Sequence, residues 1–104
     1  MPVENPPADL SSFRKTLAAA APPAGLTPAL EALWWAAKDD WTQAHEIAQA
    51  HEGDAHCDWV HAYLHRVEGD LGNAGYWYRR AHRAPATSAL KAEWEAMVSA
   101  LLHS

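Results

Sequence analysis

The sequence predicts an all-α fold of about six helices, arranged as stacked antiparallel helical hairpins. Three observations carry that prediction. Apolar residues recur at three- and four-residue spacing between well-marked start and stop signals. No stretch alternates with period two over a useful length. The chain is also rich in alanine, with six Trp and one Phe, so small residues permit close helix approach while a few large rings supply the bulk of the core.

Each element follows in order. From Asp9, the positions Leu10, Phe13, Leu17 and Ala20 or Ala21 share one face, and Pro22-Pro23 ends that helix. Thr27-Pro28 pairs an N-cap with proline at the first helical position, and the stripe is Leu30, Leu33, Trp34 and Ala37. Trp35 lies about 100° from Trp34 around this helix, so the two cannot both face one core centre. Asp39-Asp40 opens a third helix with Trp41, Ala44, Ile47, Ala48 and His51 on one side. Gly53-Asp54 stops it and starts a fourth over 55–68, and Gly69-Asp70 repeats that signal. The fifth helix turns Leu71, Ala74, Trp77, Tyr78 and Ala81 inward. Beyond Pro85, Thr87 caps a last helix carrying Leu90, Trp94, Met97, Val98 and Leu101.

At 104 residues the chain suits one domain. Residues 1–8, with Pro2, Pro6 and Pro7, are expected to form a flexible arm ahead of a single helical domain over 9–104. A net charge of −5 disfavours a nucleic-acid partner. No apolar run approaches the roughly 20 residues that cross a bilayer, and the N-terminus lacks the charged and apolar regions of a secretory signal. The expectation is a cytoplasmic protein without a membrane partner. Cys57 is the single cysteine, which excludes an intramolecular disulfide and a multi-cysteine metal site; beside His56 it reads as a small packing residue.

Shifting the chain by thirty residues places Asp40, Trp41, Ala44, Ala48 and His51 on Asp70, Leu71, Ala74, Tyr78 and Ala81. The same shift places Leu30, Leu33, Trp34 and Ala37 on Val60, Tyr63, Leu64 and Val67. Such a repeat is the mark of stacked α-hairpins. The second copy, with Gly69-Asp70, Ala74, Tyr78, Ala81 and Pro85, resembles a tetratricopeptide repeat. The resemblance covers residues 29–85. It implies a short right-handed array, or a compact bundle of about two degenerate repeats, that binds other molecules. The units are shorter than that family's usual length, and the first copy carries Asp39 where the family has glycine. The stretch from His61 to Glu68, followed by Asn73-Ala74 and Tyr76-Trp77, is also similar to one in small uncharacterised proteins, a likeness that brings no activity with it.

Two segments can carry chemistry. His61, His65 and Glu68 stand at i, i+4 and i+7 on one face of the fourth helix, opposite Trp59, Val60, Tyr63 and Val67. Two such imidazoles can chelate a divalent metal with Glu68 as third ligand, and a neutral His beside a carboxylate can serve as a general base. The same pattern describes an ordinary solvated helix face. Ala62 stands where zinc proteases of the His-Glu type require Glu. If the third and fourth helices pack together, His45 approaches this face, whereas His51, among Ala44, Ile47 and Ala48, reads as a hydrogen-bonded core or edge histidine. The second segment places Asn73, Tyr76, Arg79 and Arg80 on the polar side of the fifth helix, where arginines can hold a carboxylate or phosphate.

These observations favour a binding module that holds a protein or small acidic ligand in a polar groove lined by His61, His65, Glu68, Asn73, Tyr76, Arg79 and Arg80. No cofactor is required, and enzymatic activity is not the favoured reading. One alternative is a divalent-metal protein or metal-dependent enzyme using His61, His65 and Glu68. Another is a homodimeric assembly protein that buries Trp35 and the last helix against a second copy; the sequence leaves monomer and homodimer both open.

Overall fold

The computed structural model describes residues 7–104, so most of the expected arm lies outside the described residues. These contain six helices and no strand: α1 (Leu10–Thr16), α2 (Pro28–Ala37), α3 (Trp41–Ala50), α4 (Ala55–Val67), α5 (Leu71–Arg80) and α6 (Leu90–Leu102). The all-α class is as the periodicity predicts.

Most helix starts are fixed by side chains that accept the free N–H groups of the first turn. Thr27, Asp40, Asp54 and Asp70 cap α2, α3, α4 and α5 in this way. Two ends differ from expectation. α1 stops at Thr16, well before Pro22, and its chain tightens into i→i+3 turns at Leu17, Ala18 and Ala19. The Lys38 ammonium takes the carbonyls that this ending frees, donating to Leu17 O at 2.7 Å and Ala19 O at 3.1 Å. α6 begins after Ala89, without the Thr87 cap and without any side-chain cap. The Arg66 guanidinium instead ties Ser88 O and Glu93 at that end.

The third and fifth helices start alike. Asp39 takes the left-handed backbone at φ 60°, and Gly69, thirty positions on, does so at 85°. In the next step Asp40 N donates to Trp35 O at 3.0 Å and Asp70 N to His65 O at 2.9 Å. An Asp therefore performs the turn that Gly performs thirty positions on, consistent with the tolerance of Asp for this conformation.

α4 is the centre of the molecule and packs against α2, α3, α5 and α6. The closest neighbours along the chain are α2 with α3 and α4 with α5. Phe13, Leu33, Trp34, Val60, Leu64, Met97 and Val98 are fully enclosed. Cutting a buried Trp such as Trp34 to alanine costs about 3–5 kcal/mol. The buried indoles also find acceptors, with Trp34 Nε1 donating to Thr16 Oγ1 at 3.1 Å and Trp94 Nε1 to Leu33 O at 2.9 Å. Trp35 is half-buried and meets Trp34 edge-on. The stripe Trp94, Met97, Val98 and Leu101 is buried within the chain, against α1, α2 and α4.

Not every expected core position is inside. Leu71 is 69% exposed, at the first position of α5. Val67 and Leu90 are likewise exposed. His51 is an exposed C-cap whose Nδ1 lies 3.0 Å from Ile47 O. Among the described residues, no helix is long and apolar enough to cross a membrane.

Candidate metal centre

α4 exposes so little of its circumference that the expected polar face is an interior one. His61 is 3% exposed and His65 6%, and buried residues run without a break from Cys57 to His65. The contrast with the expected solvated face follows from packing on several sides: α3 and α5 both rest on α4, and the His face lies against residues of each.

Three histidines meet there. His45 comes from α3 and His61 and His65 from successive turns of α4, with one ring nitrogen of each lying within 4.8 Å of the others. The tightest approach is His45 Nε2 to His61 Nε2, at 3.1 Å. In a tetrahedral zinc site with bonds of 2.0–2.1 Å, two ligand nitrogens lie about 3.3 Å apart. The pair thus stands near the spacing that one shared ion requires.

Aromatic rings hold these imidazoles in place. His61 is sandwiched between Trp77, stacked at 3.8 Å, and His65, at 4.9 Å. Trp41 stacks on His45 at 4.6 Å and turns it nearly perpendicular to both other histidines. Trp41 is itself anchored across the helix pair, its Nε1 donating to Leu64 O at 2.7 Å. At the far side, His65 Nδ1 lies 2.6 Å from Glu68 Oε1.

Burial keeps the cluster basic in the Lewis sense. Desolvation lowers the pKa of His61 to about 4, and the neighbouring His45, His65 and Arg80 push it in the same direction. Desolvation, then His65, also lowers that of His45. Both rings are therefore neutral at pH 7, the form that ligates metals. One contact between two neutral rings uses one N–H and one lone pair, and His61 Nδ1 is left buried with no partner.

The remaining expected residues lie apart from the ring cluster. Tyr76 is exposed, accepts from Arg80 Nη1 at 3.2 Å, and meets Trp77 edge-on. Arg80 lies over the Trp77 ring and pairs with Glu52 at 3.3 Å. Asn73 and Arg79 are exposed on the same helix. Tyr76 and Arg80 both contact Trp77, the ring that stacks on His61. The sequence places Trp41 and Trp77 in the core, and the helix packing makes them walls of the cluster. Cys57 packs as a small buried residue, its thiol pushed up to about 12 by burial and by Asp54 and Asp58.

Comparison with protein-family models, with curated proteins and with solved structures finds no match to this chain.

Proposed function

We propose that this chain binds one divalent transition-metal ion through His45, His61 and His65. The observation that carries the reading is the 3.1 Å separation of two ring nitrogens from different helices, closed by a third imidazole and walled by Trp41 and Trp77. Three imidazoles without a thiolate suit Zn(II), Ni(II) and Cu(II), and disfavour the oxygen-seeking Mg(II) and Ca(II). Preformed geometry lowers the cost of binding, because the rings are already held by stacking rather than ordered by the ion.

Thermal unfolding of untagged, chelator-treated protein tests this. An ion at 100 times its dissociation constant stabilises the fold by about 2.7 kcal/mol, a rise of several degrees for a domain of this size. The rise is expected for the native chain and lost in His45→Ala, a substitution at a half-buried position. An equal rise in both proteins would defeat the reading.

A second reading keeps the helical-repeat module, in which the chain is a scaffold related to tetratricopeptide proteins and binds an acidic partner. The matched turns at Asp39 and Gly69 support the repeat, and the exposed Tyr76 and Arg79 support the surface. Arg80 is already engaged by Glu52 and Tyr76, which is why this reading ranks second. Fluorescence anisotropy with a labelled oligoglutamate peptide tests it, and equal binding by Tyr76→Ala/Arg79→Ala and the native chain would sink it.

A further inference from the structure

A tetrahedral ion held by three imidazoles needs one more donor. Three carboxylates on α4 and its ends each hold a hydrogen bond, and Glu68 and Asp70 gather with His65 in a second group of donors that does not include His45 or His61. Glu68 Oε1 lies 2.6 Å from His65 Nδ1. Asp70 Oδ1 accepts the Asn73 N–H at 3.1 Å as the N-cap of α5. Asp58 Oδ1 accepts the Gly53 N–H at 3.1 Å, at the other end of α4. Cys57 is a buried thiol outside the ring cluster.

The Glu68 contact has a chemical consequence. A carboxylate at hydrogen-bond distance from one imidazole nitrogen draws the ring proton to that nitrogen and leaves the other bare. His65 Nδ1 then donates to Glu68, and His65 Nε2 carries the free lone pair. Glu68 sits at the C-cap of α4, a partly exposed side chain placed to hold this ring. Glu68 gathers with His65 and Asp70 rather than with His45 and His61, so its carboxylate supports the His65 ring from outside the three-imidazole cluster.

Building on the metal reading above, we propose that Glu68 is a positioning residue for His65 and not a metal ligand, so that the protein supplies three donors and one coordination position stays open to a small exogenous anion. The class of ligand that fits is a monodentate oxygen or nitrogen anion such as hydroxide, acetate or azide. An open position distinguishes this centre from a closed structural site, in which four protein ligands shut out solvent.

Cobalt(II) is the probe, since its ligand-field bands report both coordination number and donor type. The native chain is loaded with cobalt and titrated with azide, alongside Glu68→Gln and Glu68→Ala. Saturable azide-induced band shifts are expected in all three proteins, with band positions before azide unchanged by either substitution. Cobalt affinity falls by about 10-fold to 100-fold on losing the carboxylate, with glutamine, which retains an acceptor oxygen, the milder change. Bands in the native chain that ignore azide would overturn the open position. Bands displaced by Glu68→Gln would overturn the positioning role and make Glu68 a ligand. A native chain that binds no cobalt, zinc or nickel would overturn the metal reading itself, and this assignment with it.

Discussion

The Nε2 atoms of His45 and His61, sixteen positions apart on different helices, lie 3.1 Å from one another. Nothing local enforces that distance. It depends on the packing of α3 against α4, which the Trp41 Nε1 bond to Leu64 O fixes at 2.7 Å, and on Trp77, which presses His61 from α5. The site is a product of tertiary structure.

Acid should therefore weaken the metal-free fold. Burial lowers the His61 pKa to about 4, whereas an unfolded chain titrates its histidines near about 6.5. Between those values the unfolded state binds more protons, so stability is full above about pH 6.5 and is lost as pH falls toward 4. The loss is on the order of 3 kcal/mol from His61, with His45 shifted in the same direction. Urea unfolding at pH 7.0 and 5.0 should show about 2 kcal/mol of that loss, the rest falling below pH 5. His61→Gln should flatten the slope, and a native chain equally stable at both values would refute the account of the buried ring.

The order of the helices was legible because their ends are written in residues whose chemistry is local. Thr27-Pro28, Asp40, Asp54 and Asp70 cap as their positions indicate. The end of α1 was not legible, since it depends on Lys38, some twenty positions away, reaching its carbonyls. His61 and His65 were visible as an i, i+4 pair, but their burial was not. A helix contacted from several sides can turn polar residues into the interior, and a single helical pattern does not reveal how many neighbours it has. Spacing offers Glu68 as a third ligand, whereas its contact with His65 Nδ1 depends on side-chain geometry that spacing does not give.

The turns at Asp39 and Gly69 offer a separate test of the thirty-residue repeat. Both take positive φ, at 60° and 85°. Asp39→Gly should stabilise the fold by up to about 1 kcal/mol, because glycine adopts this backbone without steric cost. Gly69→Ala should destabilise by about 1–2 kcal/mol through backbone strain alone, since an added methyl meets no atom within 4 Å. Chemical denaturation of the two variants decides it, and a destabilised Asp39→Gly would contradict the equivalence of the turns.

Glu93 is buried near the α4–α6 contact and accepts from Tyr78 Oη and, at 2.8 Å, from Arg66 Nη1. Burial, then this hydrogen bond, raises the Tyr78 pKa, keeping the phenol a donor. Tyr78→Phe should cost about 1–3 kcal/mol by leaving Glu93 short of a partner. Arg66→Met should cost about 3–5 kcal/mol, because it leaves a buried carboxylate without its cation. Denaturant midpoints rank the two, and the reverse order would show that the ion pair contributes less than the phenol.

The most direct measurement is X-ray absorption of the untagged chain after zinc loading and gel filtration. The account predicts one zinc retained per chain, with the scattering pattern of three imidazoles at about 2.0–2.1 Å and a fourth light atom. His45→Ala should retain none under the same conditions. A chain that emerges free of zinc, or one whose zinc carries fewer than three imidazoles, would contradict the claim that His45, His61 and His65 form a metal site.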